Sequence, residues 1–551
     1  MPENRPLLAM ASNQATQSTA MKSTKQKEII VEPELGLEAV DKLLVLCEEV
    51  MRATPAGAQR FIEPAPGVLI RAKSSQHHLV FGRRGSGKSS LLRKMASDLT
   101  VTRRPIAFVD METFKGHTYP DVLISVLIKS LHEFKGWLDS AATAPATKTS
   151  FWRKLYNAIP TRPPFKKNKT AELSNELTQL IDALEYQLTQ PESSEKQLKR
   201  TVSEENRRTL EVEANGETPV VKIKAKGALE GRSSGATEEQ SKYVSHKVEY
   251  LHQNILRFQR FFKLLSELSD GPSFLILDDL YHIRKTDQAK VIDYFHRVAK
   301  GNSLWLKIGT IKHRSQWYEH SDPPVGMKLG DDAKEINLDI SLENFRTLRD
   351  FLRKILNNLM SETPPLSIRG LTNPTAIDRL IIASGGVTRD FIGIFAASIS
   401  QARNRDKDHH RGQKIGAEDV NRATGEYSPL KEEEFKRDTD SEREILEDAL
   451  RSLVDFCTNT SKCNVFLIPQ KLAGPVRESI DQLIDLRLIH PVKSRVTLKK
   501  GASGLLYEAY MLDLSQYTAA RKVHEFQMVD LSAPNKDESI RKSSLIYEGK
   551  N

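Results

Sequence analysis

Leu79-Val80-Phe81-Gly82-Arg83-Arg84-Gly85-Ser86-Gly87-Lys88-Ser89-Ser90-Leu91-Leu92 sets an apolar triplet before a glycine-rich loop and an apolar pair after it. Glycines at 82, 85 and 87 let the chain curl. Successive backbone N–H groups, and the N-terminus of the helix that follows, then point at one anionic group. Lys88 supplies a mobile cation for β- and γ-phosphate oxygens, and the Ser89 hydroxyl is of the kind that holds Mg²⁺. The expected contacts to ATP come from Gly82, Arg83, Arg84, Gly85, Ser86, Gly87, Lys88, Ser89 and Ser90. The Lys88 side chain is expected to face solvent when no nucleotide is bound.

The stretch that completes this loop is Phe274-Leu275-Ile276-Leu277-Asp278-Asp279, four apolar residues closing on two carboxylates. Asp278 is expected to share the Mg²⁺ with Ser89, and Asp279 to orient or deprotonate the attacking water. Between and beyond the two motifs, apolar strands alternate with helical patterns. Ile106 to Val109 ends on Asp110 and Glu112, a helix runs from Tyr119 to Trp137, and Leu304 to Ile308 and Glu335 to Leu338 are further strands. Such alternation predicts an α/β fold, a P-loop NTPase core of three α/β/α layers around a parallel sheet.

Residues 1–28 are rich in Ser, Thr, Gln and Lys and are expected to be disordered. Residues 29–77 read as an N-terminal helical extension, with a helix from Gly36 to Met51 before the Pro55, Pro64 and Pro66 breaks. The ATPase core spans 78–344 with an insertion at 140–245. That insertion carries a helical patch near Glu172 to Leu188 and a possible hairpin near Val220 to Ile223. A helical lid spans 345–428. Residues 429–520 read as winged-helix-like, with helices Ser441–Phe456 and Val476–Leu488 and a hairpin from Val492–Leu498 to Tyr507–Leu512. The tail, 521–551, is expected to be loose from about Leu531.

On these motifs the chain resembles the AAA+ ATPases, and among them the origin-recognition initiator branch with its appended winged helix. The resemblance implies that Thr310 is a polar sensor near the γ-phosphate and that Asp331 to Leu338 is the last core strand. It also implies that Arg389, in Gly385-Gly386-Val387-Thr388-Arg389, reaches the γ-phosphate from the lid. Arg314 becomes the candidate arginine finger acting on a neighbouring subunit, with Arg297 as competitor, which implies a homo-oligomer. Asp279 stands where the family has a glutamate one methylene longer. Slow hydrolysis or help from Glu112 follows, and the Asp-Asp pair also resembles signalling STAND ATPases. That likeness gives the alternative function: a nucleotide-gated sensor or scaffold, for example in anti-phage defence, acting through a separate effector protein.

The 551 residues carry 82 Lys and Arg against 72 Asp and Glu, a formal net charge of +10, which favours an anionic partner such as DNA. Two basic stretches bear on this, the first of which suits single-stranded nucleic acid, an anionic membrane surface, or simply a solvated insertion anchored by a few aromatics. Between Asp139 and Glu172, Lys148, Arg153, Lys154, Arg162, Lys166, Lys167 and Lys169 interleave with Phe151, Trp152, Tyr156 and Phe165. The wing carries Arg487, His490, Lys493, Arg495, Lys499 and Lys500. Winged helices also dock proteins, so the wing alone leaves both readings open. His409-His410 reads as a solvated lid turn rather than a metal site. Three unpatterned cysteines, Cys47, Cys457 and Cys463, exclude a disulfide framework. With neither a transmembrane run nor a signal-like start, the expected compartment is the cytoplasm.

Overall fold

The computed structural model describes residues 34–143, 165, 167–189, 246–269, 271–404, 414–438, 443–498, 505–518 and 525–549. The readings of 1–28, the 220–223 hairpin, His409-His410, Lys499, Lys500 and most of the basic insertion lie outside these residues.

The central sheet is parallel, in the order β2-β3-β4-β1-β7. Its strands are β1 (His78–Phe81), β2 (Ile106–Asp110), β3 (Ser273–Asp278), β4 (Leu304–Thr310) and β7 (Lys334–Asn337). A two-stranded hairpin, β5 (Tyr318–Glu319) with β6 (Val325–Gly326), intervenes before β7. Every residue of β1 and β3 is buried, as continuous apolar runs demand when helices cover both faces of a sheet.

On one face lie α2 (Val68–Ala72) and α3 (Lys88–Val101), with Leu91, Leu92 and Met95 against Val80, Phe274 and Ile276. The other face is covered by α4 (Asp121–Thr143), α5 (Lys167–Thr189), α6 (246–268) and α7 (Lys285–Ala299). The helical patch of the insertion is thus α5. Its Leu173, Leu177, Leu180, Ile181 and Leu184 recur at helical spacing and are buried with α4. Phe165, just before α5, sits against Trp137 at 5.8 Å and under the Arg103 guanidinium at 3.9 Å.

The lid consists of α8 (Phe345–Ser361), α9 (Pro374–Ala383), α10 (Thr388–Arg403) and α11 (Ala417–Asp438). α1 (Glu38–Val50), from the N-terminal extension, packs against α8 and α10 and joins the lid's apolar core. Arg403 fastens it by donating to the Leu35 carbonyl and to Asp41.

The winged helix contains α12 (Arg443–Asp455), α13 (Pro475–Asp485) and an antiparallel sheet ordered β8-β10-β9. Its strands are β8 (Val465–Pro469), β9 (Ile489–Val496) and β10 (Tyr507–Leu512). β8 has no counterpart in the sequence reading. A short buried run such as Val465-Phe466-Leu467-Ile468 has no periodicity to separate strand from helix.

The loose tail is corrected. Gln527 bridges to Cys463 and Ile546 to Leu467, while Val529, Leu531, Ile540, Leu545 and Tyr547 are buried. Apolar residues spaced this far apart in a polar segment give no local signal, yet each finds a place on an existing core.

Candidate nucleotide site

The phosphate loop leaves β1 and turns into α3 through Gly85 and Gly87, whose φ values of +81° and +96° lie where side chains are strained. Around it lies a cavity of about 370 Å³. Arg84, Gly85, Gly87, Lys88, Ser89 and Ser90 line one wall. Glu112, Asp279, Tyr281 and His282 form the second, and Thr388 and Arg389 close it from the lid.

Asp278 ends β3 beside Gly309 of β4. A Cβ on Gly309 would stand 2.6 Å from Asp278 Oδ1, so only glycine leaves room for this carboxyl. Asp278 is 3 % exposed, hydrogen-bonds Ser89, and has one buried oxygen, Oδ1, without a hydrogen-bond partner. Burial, and then the Asp279 carboxylate beside it, push its pKa up to about 7. A buried oxygen of this kind, next to a serine hydroxyl under a phosphate loop, fits a Mg²⁺ that takes few protein ligands and the rest from phosphates and water. No cluster of three or more His, Cys, Asp or Glu that could hold a metal by itself occurs among the described residues.

Lys88 departs from expectation. It is 4 % exposed rather than solvent-facing, and its ammonium donates to the Gly82 carbonyl at 3.0 Å and the Arg83 carbonyl at 3.2 Å. Burial lowers its pKa, opposed by Asp279 and Asp278. The long stem lets the ammonium reach back onto the loop's own carbonyls.

Asp279 takes a left-handed conformation, φ +56°, which turns it from the strand into the cavity wall. Glu112 reaches the same wall from the turn after β2, its N–H held by Asp110 Oδ1 at 3.0 Å. From the lid, the Arg389 N–H donates to the Gly85 carbonyl at 3.2 Å, so α10 begins directly on the phosphate loop.

Thr310 and Arg314 are not brought to this cavity. Thr310 is fully buried, its hydroxyl engaged with Ser315. Arg314 lies 3.8 Å from Asp485 of α13 in the same chain, its side chain 21 % exposed. The competing Arg297 sits 3.9 Å from Asp293, one helical turn away. The finger expected to reach a neighbouring subunit is therefore turned toward the winged helix.

The wing's basic residues are also redirected. Arg487 is ion-paired with Asp390, His490 contacts Asp513 at 2.7 Å, and Lys493 contacts Asp537 at 2.6 Å. Arg487 and His490 are buried and Lys493 is part-buried. Of the six residues named on sequence, Arg495 is exposed and the two lysines at 499 and 500 lie outside the described residues. Charge counted along a chain cannot distinguish a cation facing water from one facing a carboxylate brought in by the fold.

Sequence reasoning missed Val50, Met51 and Ala53 at the end of α1, and Tyr281 and His282 after β3. Val50 and Ala53 also line a smaller recess of about 90 Å³ with Phe61, Ile62, Phe351 and Ile355. An apolar slot beside a polar phosphate wall is the arrangement a nucleotide needs, base in one and phosphates in the other. Tyr281 lies beneath the Arg84 guanidinium, 5.6 Å from ring centroid to Cζ, and burial raises its phenol pKa. An aromatic two residues after Asp279, Tyr281, is the one local signal that pointed here.

No family model and no curated protein matches this chain. Among solved structures, the Aeropyrum pernix ORC1 protein in complex with DNA is similar over 88 % of this chain and 90 % of that one, at 14 % identity and a TM-score of 0.32. The architecture itself is a P-loop α/β/α core carrying a helical lid and a winged helix.

Proposed function

We propose that the chain binds ATP with Mg²⁺ in the 370 Å³ cavity, hydrolyses it slowly, and uses the nucleotide state to set the arrangement of lid and winged helix. The observation that carries this is the buried, unpartnered Asp278 oxygen beside Ser89, beneath a complete phosphate loop.

In this reading Ser89 and Asp278 hold the Mg²⁺, which when bound neutralises developing charge on the phosphate oxygens. The loop amides and the start of α3 cradle the β-phosphate. Lys88 leaves the Gly82 and Arg83 carbonyls for the β- and γ-oxygens, and Arg389 approaches them from the lid. Asp279 takes the proton of the attacking water, with Glu112 as the nearby alternative. Val50, Phe61 and Ile355 receive the base.

The test separates binding from turnover. Asp279→Asn should bind a fluorescent ATP analogue like the wild type in the presence of Mg²⁺ and lose turnover by about 10²-fold or more, the usual worth of a positioned base. Wild-type turnover in the variant would move the role to Glu112.

Coupling of the nucleotide state to DNA or to assembly of a nucleoprotein complex is one use of such a switch, in a cytoplasmic homo-oligomer. A sensor or scaffold with a separate effector is the other. The inward pairing of Arg487, His490 and Lys493 supports the second, because these residues are engaged within the chain. ATP turnover indifferent to added DNA, at low as at moderate salt, would support it further; a salt-dependent stimulation would support the first.

A further inference from the structure

Arg83 and Arg84 are neighbours in the phosphate loop, but only Arg84 lines the nucleotide cavity. The Arg83 side chain faces the opposite way, into a cavity of about 200 Å³ between the core and the winged helix, and is 5 % exposed.

Each polar part of Arg83 is engaged. Its N–H donates to both oxygens of Asp339, 3.0 Å each, and its Nε reaches the same carboxylate at 3.4 Å. Nη2 donates to the Gly385 carbonyl of the lid at 3.1 Å, and Nη1 stands 3.5 Å from His490 Nδ1 of the winged helix. Its carbonyl accepts from Lys88. A guanidinium has no lone pair to offer, so His490 Nδ1 is the acceptor and Nε2 carries the proton. That proton is donated to Asp513 Oδ2 at 2.7 Å.

The chain of contacts continues. Lys431 of α11 donates to Asp513 at 2.7 Å and lies 3.6 Å from Asp390 of α10, which also binds Arg487. Arg83, Lys431 and Arg487 thus face Asp339, Asp390 and Asp513 in equal number, with a neutral imidazole between them. Burial lowers the His490 pKa and so keeps it neutral. Gly385 belongs to the same junction. Its φ is +55°, and a Cβ there would overlap the His490 ring. A buried charged set of this kind adds little net stability but admits one geometry, since an ion left without its partner costs several kcal/mol.

We infer that Arg83 and His490 form a latch through which the docked winged helix holds the phosphate loop in the arrangement where Lys88 rests on the Gly82 and Arg83 carbonyls. The inference rests on the nucleotide reading above. Lys88, when it moves to phosphate, abandons the Arg83 carbonyl, and the residue that loses this contact is the one holding the winged helix. Nucleotide binding therefore loosens docking. By reciprocity, docking opposes nucleotide binding to the same degree. Arg83 and His490 are positioning residues: neither faces the cavity, and both act through the loop backbone.

The experiment is hydrogen–deuterium exchange of the full chain, followed at β9 and α13, with and without saturating Mg-ADP, alongside the Kd for a fluorescent ADP analogue. In the wild type, nucleotide should speed exchange at β9. Arg83→Ala should show fast exchange already without nucleotide, no further response to it, and nucleotide binding tighter on the order of fivefold, the lower range of allosteric couplings.

Glu343→Ala guards against a folding defect. Glu343 accepts from the Ser494 N–H and hydroxyl at 3.2 and 3.0 Å, so its loss weakens docking from outside the buried set. It should move both readouts in the same direction by less. Nucleotide that binds the wild type without altering β9 exchange overturns the latch alone, as does an Arg83→Ala protein that responds like the wild type. A wild type that binds no nucleotide removes the proposed function and the latch with it.

Discussion

The two faces of the phosphate loop are built from the same few residues and have opposite electrostatic character. On the front, Lys88, Arg84 and Arg389 converge on a cavity lined by the carboxylates of Asp279 and Glu112, with Asp278 buried beside Asp279. On the back, Arg83, Lys431 and Arg487 are matched by Asp339, Asp390 and Asp513. The front is left unsatisfied, with a buried carboxylate oxygen that lacks a hydrogen-bond partner and a lysine parked on backbone carbonyls. A ligand that brings phosphate and a divalent cation would settle both. The back is held by ion pairs within the chain, although Asp390 Oδ2 is buried without a hydrogen bond and has Lys431 only at 3.6 Å. The front directs its charge into a cavity, whereas the back commits its charge to ion pairs that hold one geometry.

The largest way to break the contrast is Lys88→Ala. Losing its charge-assisted contacts to phosphate, each worth about 1.5–3 kcal/mol, should weaken ATP binding on the order of 10²-fold or more. Isothermal titration with Mg-ATP reads this directly, and unchanged affinity in a folded variant would remove the site assignment.

Asp278→Asn should act in two directions at once. The buried carboxylate is a cost to the nucleotide-free protein, so its neutral isostere should raise the thermal midpoint, by about 2 °C for each kcal/mol recovered in a chain of this size. The same variant should lose the dependence of nucleotide affinity on Mg²⁺. A lowered midpoint would mean that the Ser89 contact outweighs the burial.

Arg84→Ala sharpens the comparison with its neighbour. It removes a cation from the front only, so KM for ATP should rise by about fivefold, as expected for a partly exposed charge beside phosphate and the Tyr281 ring. Exchange at β9 should still respond to nucleotide. If it does not, the two faces are not separate.

The smallest effect is expected at the edge of the back face. Arg314→Ala should lower the thermal midpoint modestly, because Asp485, whose pKa burial already pushes up to about 7, loses its nearest cation. Adding Asp485→Asn should recover most of the loss. A pair that acts within one chain predicts this recovery. A finger serving a neighbouring subunit predicts instead a fall in turnover that Asp485→Asn does not correct.

Much of the fold was legible because it is written locally. The run Phe274 to Leu277 reads as a buried strand because it closes on Asp278-Asp279 after a phosphate loop, and α8 sets Phe345, Leu348, Phe351, Leu352 and Leu356 on one helical face. The failures share one cause. Arg314 and the wing residues look like exposed cations in sequence, and their carboxylate partners arrive from distant segments. Arg83 and His490 are 407 positions apart. No spacing rule reaches that far.

The amino-acid sequence by itself determined the phosphate loop, the Asp278-Asp279 strand end and the alternation of the parallel α/β core. In each of these the chemistry depends on neighbours within one turn or one strand. Only the tertiary structure decided that the end of α1 walls an apolar recess beside the phosphate loop, that Lys88 rests buried on the loop's own carbonyls, and that adjacent arginines at 83 and 84 face opposite sides. It also decided that the wing's cations Arg487, His490 and Lys493 turn inward. A side chain's direction and partners follow from the packing of segments remote in sequence, and burial then decides whether its charge is offered to a ligand or neutralised within the fold.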